Sequence, residues 1–160
     1  MKKIMLIRHS KSSWDFPVKD FDRQLTDSGI QKAILVAQKT KEFIPTDFII
    51  WSSSANRASS TAKLFVATWN LPNTKIAFLD TLYTFDERKL EEIVKSCPNE
   101  NNNLILFGHN DAITDFVNKF GDIFIDNVPT AGFVSIIFET NNWNTISKGK
   151  TEKVLFPRDC

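Results

Sequence analysis

This 160-residue sequence has few of the residues that build disulfide frameworks or metal centres: it contains two cysteines, Cys97 and Cys160, and two histidines. Two cysteines are too few for a disulfide scaffold, and a tetrahedral zinc site would have to recruit every cysteine and histidine in the chain. The sequence therefore predicts a protein that keeps its cysteines reduced and holds no metal.

Long apolar runs and an excess of charge of one sign are also absent. The first apolar run covers only residues 4–7 before Arg8, whereas a signal peptide needs about 7–15 apolar residues and a membrane span about 20. Twenty basic side chains against nineteen acidic ones leave a net charge of +1, which argues against broad phosphate neutralisation on nucleic acid and against a polybasic membrane anchor. We therefore expect a cytoplasmic protein with no nucleic-acid or membrane partner.

Length and aromatic content indicate one folded unit. A domain usually has about 100–200 residues, and fourteen phenylalanines and four tryptophans provide apolar side chains for a hydrophobic core. No internal repeat, linker or shift in composition marks a boundary, so residues 1–160 are predicted to form a single domain. Neither the charge balance nor the apolar pattern demands an oligomer, and we expect a monomer.

Short apolar runs alternate with amphipathic helical patterns along the chain. The runs typical of buried strands are residues 4–7, 48–51, 76–79, 104–107 and 133–138, and residues 154–157 are expected to add a last strand or edge segment. The helical stripes are Ile30, Ala33, Ile34 and Ala37 after a Thr26 N-cap; Ala58, Ala62, Phe65, Val66 and Trp69; Leu90, Ile93, Val94 and Cys97; and Ala112, Ile113, Phe116, Val117 and Phe120 after Asn110 or Asp111. This alternation predicts an α/β fold of three layers, α/β/α, with a mostly parallel central sheet.

Arginine and histidine side chains follow three of the predicted strands. Arg8 and His9 follow the first, a run of serines with Arg57 in the next helical turn follows the second, and His109 follows the fourth. Each alone has an ordinary explanation, as a hydrogen-bonding histidine or a solvated arginine. Because ligands bind at the carboxyl ends of the strands in such sheets, the four together predict a positive pocket. Arginine forks and helix N-termini fit phosphate oxygens, so the expected ligand is a phosphoryl group or a free phosphate or sulfate ion.

The segment from Leu6 to Trp14, LIRHSKSSW, resembles the signature of the histidine phosphatase superfamily, which has the phosphoglycerate mutase-like fold. It is most similar to the branch of small phosphohistidine phosphatases called SixA. Four further stretches fall where that branch has its motifs: residues 22–29, 52–62, 82–83 and 108–110.

The resemblance implies that His9 is the nucleophile that becomes phosphorylated. It also implies that the phosphoryl group is held by Arg8, Arg57 and His109. A water molecule then hydrolyses the phosphohistidine intermediate, and this covalent route requires neither a metal nor a cofactor. Ser10 stands where many members have glycine, and since its side chain is also small we expect activity to be kept.

The general acid is the least defined part of the predicted site. Larger members of the superfamily use a carboxylate after the third strand, where this sequence offers Asp86 and Glu87. Both are also good first-turn residues for the helix that follows. A phosphohistidine leaves as imidazole, with a pKa of about 6.5, and departs more easily without protonation than an alkoxide does. A doubtful acid therefore favours a phosphohistidine substrate over a sugar phosphate.

We expect a phosphatase that removes phosphate from phosphohistidine on a signalling or phosphotransfer protein. Residues 11–24 form the one long non-helical loop, where Trp14, Phe16 and Phe21 either rim an open pocket suited to a protein side chain or fold back on the core. Two alternatives stay open. The chain could be a phosphomonoesterase or mutase of small phosphorylated molecules with the same fold, or a phosphate-binding module without catalysis.

Overall fold

A six-stranded sheet forms the middle layer of the computed structural model, which describes all 160 residues. Its strands are β1 (Lys2–Arg8), β2 (Ile49–Ser53), β3 (Ile76–Leu79), β4 (Asn103–Gly108), β5 (Phe133–Phe138) and β6 (Lys150–Leu155). The spatial order is β3-β2-β4-β1-β5-β6. The first four of these are parallel, whereas β5 and β6 pair antiparallel, so the predicted mostly parallel sheet is confirmed.

Four helices cover the two faces of the sheet: α1 (Asp27–Thr40), α2 (Asn56–Thr68), α3 (Glu87–Lys95) and α4 (Ala112–Phe120). Short 3-10 helices occupy Asp20–Asp22, Lys41–Phe43, Asn73–Lys75, Asp80–Leu82, Trp143–Thr145 and Pro157–Asp159. No helix has the length and apolar character that crossing a membrane requires. The helices on both faces confirm the predicted three-layer α/β/α architecture.

The side chains of β1 show why both faces of the sheet are buried. Ile4 and Leu6 pack into a core cluster with residues of α3 and α4, and Met5 and Ile7 pack into a second cluster with residues of α1 and α2. A strand buried on both faces is apolar at consecutive positions rather than at alternate ones. This is why the parallel strands were visible as continuous apolar runs.

The buried face of α1 differs from the predicted stripe. Ala33 and Ala37 are buried as expected, but Ile30 and Ile34 are only half-buried, and the stripe is completed by Gly29, Val36 and Thr40. The N-terminal turn of α1 lies close to the preceding loop, where a Cβ on Gly29 would meet the Lys11 carbonyl oxygen. The missing side chain at Gly29 lets the two backbones approach, and the isoleucines lie at the half-buried margin of the helix.

Two further predictions needed adjustment. The predicted strand over residues 154–157 begins earlier, at Lys150, and ends at Leu155. The four residues at its start are polar, so this part of the edge strand gives no apolar run. At the start of α4, the Asn110 side chain accepts a hydrogen bond from the Thr114 N–H at 3.1 Å, while the Asp111 side chain makes no capping hydrogen bond. The predicted Thr26 cap of α1 is present and accepts from the Gly29 N–H.

Candidate active site

The sheet places the two histidines beside each other. β1 and β4 are parallel neighbours in which Arg8 pairs with Gly108, so the next residue of each strand, His9 and His109, leaves the sheet at the same edge. The His9 N–H donates to the Gly108 carbonyl at 3.0 Å, and the two imidazole centroids are 5.3 Å apart. The structure therefore brings together both histidines that the sequence singled out.

His9 has one ring nitrogen held by the backbone and the other carrying an unprotonated lone pair. Its Nδ1 lies 2.7 Å from the Ser10 carbonyl oxygen, which can only accept, so Nδ1 carries the proton and Nε2 presents a lone pair. Burial, together with the positive charges of Arg57 and Arg8, lowers the pKa of His9 to about 4, against a smaller opposite effect of the Ser10 hydrogen bond. Near neutral pH the His9 ring is therefore a neutral imidazole, with its proton on Nδ1 and none on Nε2.

Arg57 lies against the reactive nitrogen of His9. It belongs to the first turn of α2, is 3% exposed, and places its Nε 3.4 Å from His9 Nε2. Arg8 is half-buried on the other side; its Nη1 donates to the Val128 carbonyl at 3.0 Å, and its Nε has no partner in the protein. A buried guanidinium nitrogen without a partner is available to a ligand.

His109 is almost completely buried, at 1% exposure. Its Nε2 lies 2.8 Å from the Ser53 hydroxyl oxygen, and the rings of Tyr83 and Phe85 pack edge-on against it. Burial lowers its pKa to about 3, assisted by His9 and Arg57. His109 is therefore also neutral in the free protein.

A solvent-open cavity of about 450 Å³ connects His9, Arg8 and Arg57. His109 does not line it, but its ring contacts those of His9 and Phe85, which do. Its walls come from the strand ends, from the loop that follows β1 and from the region after β3. The lining residues are Arg8, His9, Lys11, Ser12, Trp14, Asp20, Arg23, Arg57, Phe85, Asn110 and Thr130. Trp14 thus lies at the rim, 76% exposed, and does not fold back on the core. Phe16 is exposed and Phe21 packs edge-on against Tyr83.

Asp20 is a central residue of the cavity that the sequence analysis did not identify. Its carboxylate accepts hydrogen bonds from Arg23 Nη1 at 3.0 Å, from Arg57 Nη2 at 3.0 Å and from the Tyr83 hydroxyl at 2.5 Å. Burial alone would raise its pKa, but the hydrogen bonds from Tyr83, Arg23 and Arg57 outweigh that effect and hold the pKa at about 2. In the free protein the Asp20 carboxylate therefore pairs with two of the cavity's guanidinium groups and offsets one of their two positive charges.

Arg23 is the second residue that the sequence analysis missed as a site residue. It is 7% exposed, and its Nε and Nη2 donate to the Ser13 carbonyl and the Ser12 hydroxyl. The Trp14 ring stacks on its guanidinium group. Arg23 belongs to the stretch of residues 22–29 that carries part of the family resemblance, so its position there was the available signal.

Neither candidate for the general acid lines the cavity. Asp86 is the N-cap of α3 and accepts from the Arg88 N–H at 3.2 Å. Glu87 faces Lys119, with 3.7 Å between Nζ and Oε2, and burial next to Glu91 raises its pKa. Both carboxylates thus have structural partners at the start of α3, and the expectation that one of them serves as the acid stays a prediction.

The side chains around the cavity are suited to an anion rather than to a metal ion. No set of three or more His, Cys, Asp or Glu side chains in the chain is arranged to hold a metal ion. The cavity instead combines arginine side chains, which present fixed N–H donors, with the neutral imidazole of His9, and the His109 ring lies directly behind that of His9. Such a set of donors fits the oxygens of a tetrahedral anion.

Both the sequence and the fold of this chain are similar to those of known proteins. The model of the histidine phosphatase superfamily (branch 1) matches residues 4–82. A search of curated protein sequences found no significant match.

Among solved structures, the protein histidine phosphatase SixA complexed with tungstate superposes with a TM-score of 0.82, at 18% identity and with 98% of each chain covered. A candidate phosphohistidine phosphatase SixA from Agrobacterium tumefaciens has a TM-score of 0.77, at 21% identity over 96% of this chain and 97% of the other. A mycobacterial glucosyl-3-phosphoglycerate phosphatase has a TM-score of 0.69, at 12% identity over 95% and 97%. These similarities establish the phosphoglycerate mutase-like fold.

Proposed function

We propose that this chain, which belongs to the histidine phosphatase superfamily, is a phosphatase that transfers a phosphoryl group to His9 and then to water. The observation that carries the proposal is the His9 ring. Its Nδ1 is held by the Ser10 carbonyl, and its unprotonated Nε2 accepts a long hydrogen bond from Arg57 Nε at 3.4 Å, beside the cavity that both residues line. An unprotonated nitrogen at an arginine-lined cavity is what attack on a phosphoryl group requires.

The proposed reaction has two steps. His9 Nε2 attacks phosphorus, and the bond from phosphorus to the leaving group breaks. The charge on the transferring oxygens is stabilised by Arg8, Arg23 and Arg57, whose donors are already in place around the cavity. Water then attacks the phosphorus of phospho-His9, which releases inorganic phosphate and restores the free imidazole. The arginines supply the positive charge, so the reaction as proposed requires no metal.

The substrate we propose is a phosphohistidine on a protein of a signalling or phosphotransfer system. Neither Asp86 nor Glu87 lines the cavity, and Asp20 is ionised, so no carboxylic acid is ready to protonate a leaving alkoxide. A phosphohistidine needs no such acid from the enzyme, because its ring takes a proton from solvent on the nitrogen that carries no phosphorus, with a pKa near that of imidazole at about 6.5, and then leaves as neutral imidazole. The open cavity with Trp14 and Phe85 at its walls also suits a protein surface. The earlier expectation of a cytoplasmic monomer stays a prediction.

The test is a rapid-quench experiment with a protein that carries radiolabelled phosphohistidine. We expect a transient label on this chain that is stable to alkali, labile to acid and absent in His9→Ala. Turnover of the phosphohistidine protein should exceed that of p-nitrophenyl phosphate and of phosphoglycerates. Binding without any label would indicate a phosphate-binding module, and preferential turnover of phosphoglycerates would indicate a small-molecule enzyme.

A further inference from the structure

We propose that the Ser53 hydroxyl fixes His109 in the tautomer that carries its proton on Nδ1, so that His109 donates a hydrogen bond to the phosphoryl group while it is neutral. Ser53 is then a positioning residue that acts through His109. That the acceptor of this hydrogen bond is a phosphoryl group rests on the proposed function. The tautomer of His109 is a property of the free protein, and it is measured without any phosphorylated ligand.

Ser53 has a defined place at the catalytic edge of the sheet. It is the last residue of β2, and the preceding Ser52 pairs with Phe107 of β4. Its side chain is therefore beside the segment in which β4 continues into His109. Ser53 is completely buried, and its Oγ lies 2.8 Å from His109 Nε2. The Ala55 N–H donates to the same oxygen at 3.2 Å.

The hydrogen-bonding capacity of the hydroxyl decides the direction of the contact. A serine hydroxyl has one proton to donate and two lone pairs with which to accept. The Ala55 N–H takes one lone pair, and the remaining partner of Ser53 Oγ is His109 Nε2. If Nε2 carried a proton, the Ser53 proton would be buried without an acceptor, which is unfavourable. The Ser53 hydroxyl is satisfied when it donates and Nε2 accepts, whereas the opposite tautomer leaves both the hydroxyl proton and the Nδ1 lone pair without a partner.

The other ring nitrogen then becomes a donor without a partner in the free protein. His109 Nδ1 is buried and makes no hydrogen bond to the protein. Nδ1 is on the side of the His109 ring away from Ser53. The ring of His9, the proposed nucleophile, has its centroid 5.3 Å from that of His109. An oxygen of a phosphoryl group attached to His9 is the acceptor that we assign to this N–H. The opposite tautomer would turn a lone pair towards that anionic oxygen and repel it.

Electrostatics explain why the tautomer matters. The groups that act on the His109 ring are His9, Arg57, Asp20 and Arg8, and their combined effect adds to burial in lowering its pKa to about 3. A protonated His109 would donate from both nitrogens, but the free protein does not provide one at neutral pH. A neutral imidazole donates from one nitrogen only, so the choice of nitrogen decides whether His109 helps to bind the anion.

The first test is nitrogen-15 NMR of the full chain without ligand. The chain has only two histidines, and a His9→Gln spectrum assigns the signals of His109. We expect a protonated, pyrrole-type Nδ1 and an unprotonated, pyridine-type Nε2. The Ser53→Thr variant keeps a hydroxyl and should keep this pattern, whereas Ser53→Ala should shift it towards the Nε2-protonated form. A wild-type His109 protonated on Nε2 would overturn the proposal, even if Ser53→Ala fails to fold.

The second test separates positioning from folding. Ser53→Ala is expected to weaken the binding of inorganic phosphate and to lower kcat/KM by about 10- to 100-fold, the effect of losing one hydrogen bond to a charged group, and Ser53→Thr should restore most of it. Ser54→Ala, at the adjacent half-buried position, is the matched control and should behave like the wild type. Unchanged phosphate binding in a folded Ser53→Ala protein would refute the proposal.

The two proposals fail in different ways. If no phosphorylated His9 forms but the NMR pattern and the phosphate titration are as expected, the proposed phosphatase function falls and the assignment of Ser53 stands. If His9 is phosphorylated while His109 carries its proton on Nε2, only the inference about Ser53 falls.

Discussion

Acidification should destabilise the folded protein through its two histidines. His9 and His109 are 8% and 1% exposed, and their pKa values are lowered to about 4 and about 3, mainly by burial. In the unfolded chain both return to about 6.5. Between these values the unfolded state binds more protons than the folded state, so the stability that is present above about pH 6.5 is lost as the pH falls towards the folded pKa values.

The size of the effect follows from the same linkage. Lowering the pH from about 7.5 to about 5 should reduce the free energy of unfolding by about 2 kcal/mol for each histidine, and by about 4 kcal/mol for both. That is a large part of the stability of an ordinary domain, which is about 5–15 kcal/mol. Asp20 does not contribute to the change between about pH 7.5 and about pH 5. Its pKa in the folded protein is about 2, so the stability that it provides is lost only as the pH falls below the ordinary pKa of an aspartate.

Urea unfolding at the two pH values measures this difference. The buried Trp69 and Trp143 report unfolding by fluorescence, and a buffer without phosphate or sulfate keeps the site free of anions. The control is the double variant His9→Gln and His109→Gln, which should lose most of the pH dependence whatever its absolute stability. A wild-type decrease below about 1 kcal/mol, or an equal decrease in the double variant, would refute the assignment of both histidines as buried and neutral.

Two substitutions test the carboxylates around the site. Asp20→Asn should tighten the binding of inorganic phosphate by about 3- to 10-fold in calorimetry, because the carboxylate competes for N–H donors of Arg23 and Arg57; weaker binding would mean that Asp20 is needed to orient those arginines. Asp86→Ala should lower the free energy of unfolding by about 1 kcal/mol through loss of the α3 cap, and neither it nor Glu87→Gln should change phosphohistidine turnover. Loss of turnover in either variant, with the fold intact, would restore that residue as a general acid.

The sequence was sufficient to predict the strands and the two histidines because both depend on short-range patterns. A strand buried on both faces is apolar at every position, as in residues 4–7, and the residue that follows it lies at the catalytic edge. His9 and His109 could therefore be assigned to one rim without knowledge of side-chain contacts.

Asp20 could not be found in the same way. It lies in an irregular loop, on a 3-10 helix of three residues, and it meets Arg57 and Tyr83 across 37 and 63 positions of sequence. No periodicity encodes such a contact, since it depends on how the loop folds over the finished sheet. The outward turn of Ile30 and Ile34 in α1 has a similar origin, because the neighbouring backbone decides which face packs.

The pairing of Arg8 with Gly108 in adjacent strands has a consequence for how the protein can diverge. The spacing of the two imidazoles is set by backbone hydrogen bonds inside the sheet, whereas Trp14, Asp20 and Arg23 belong to a surface segment that contributes no strand. Insertions or deletions in that segment would remodel what the cavity accepts without separating the histidines. The spacing of the two histidines and the outer wall of the cavity thus depend on different parts of the chain, and the wall can be engineered while that spacing is kept.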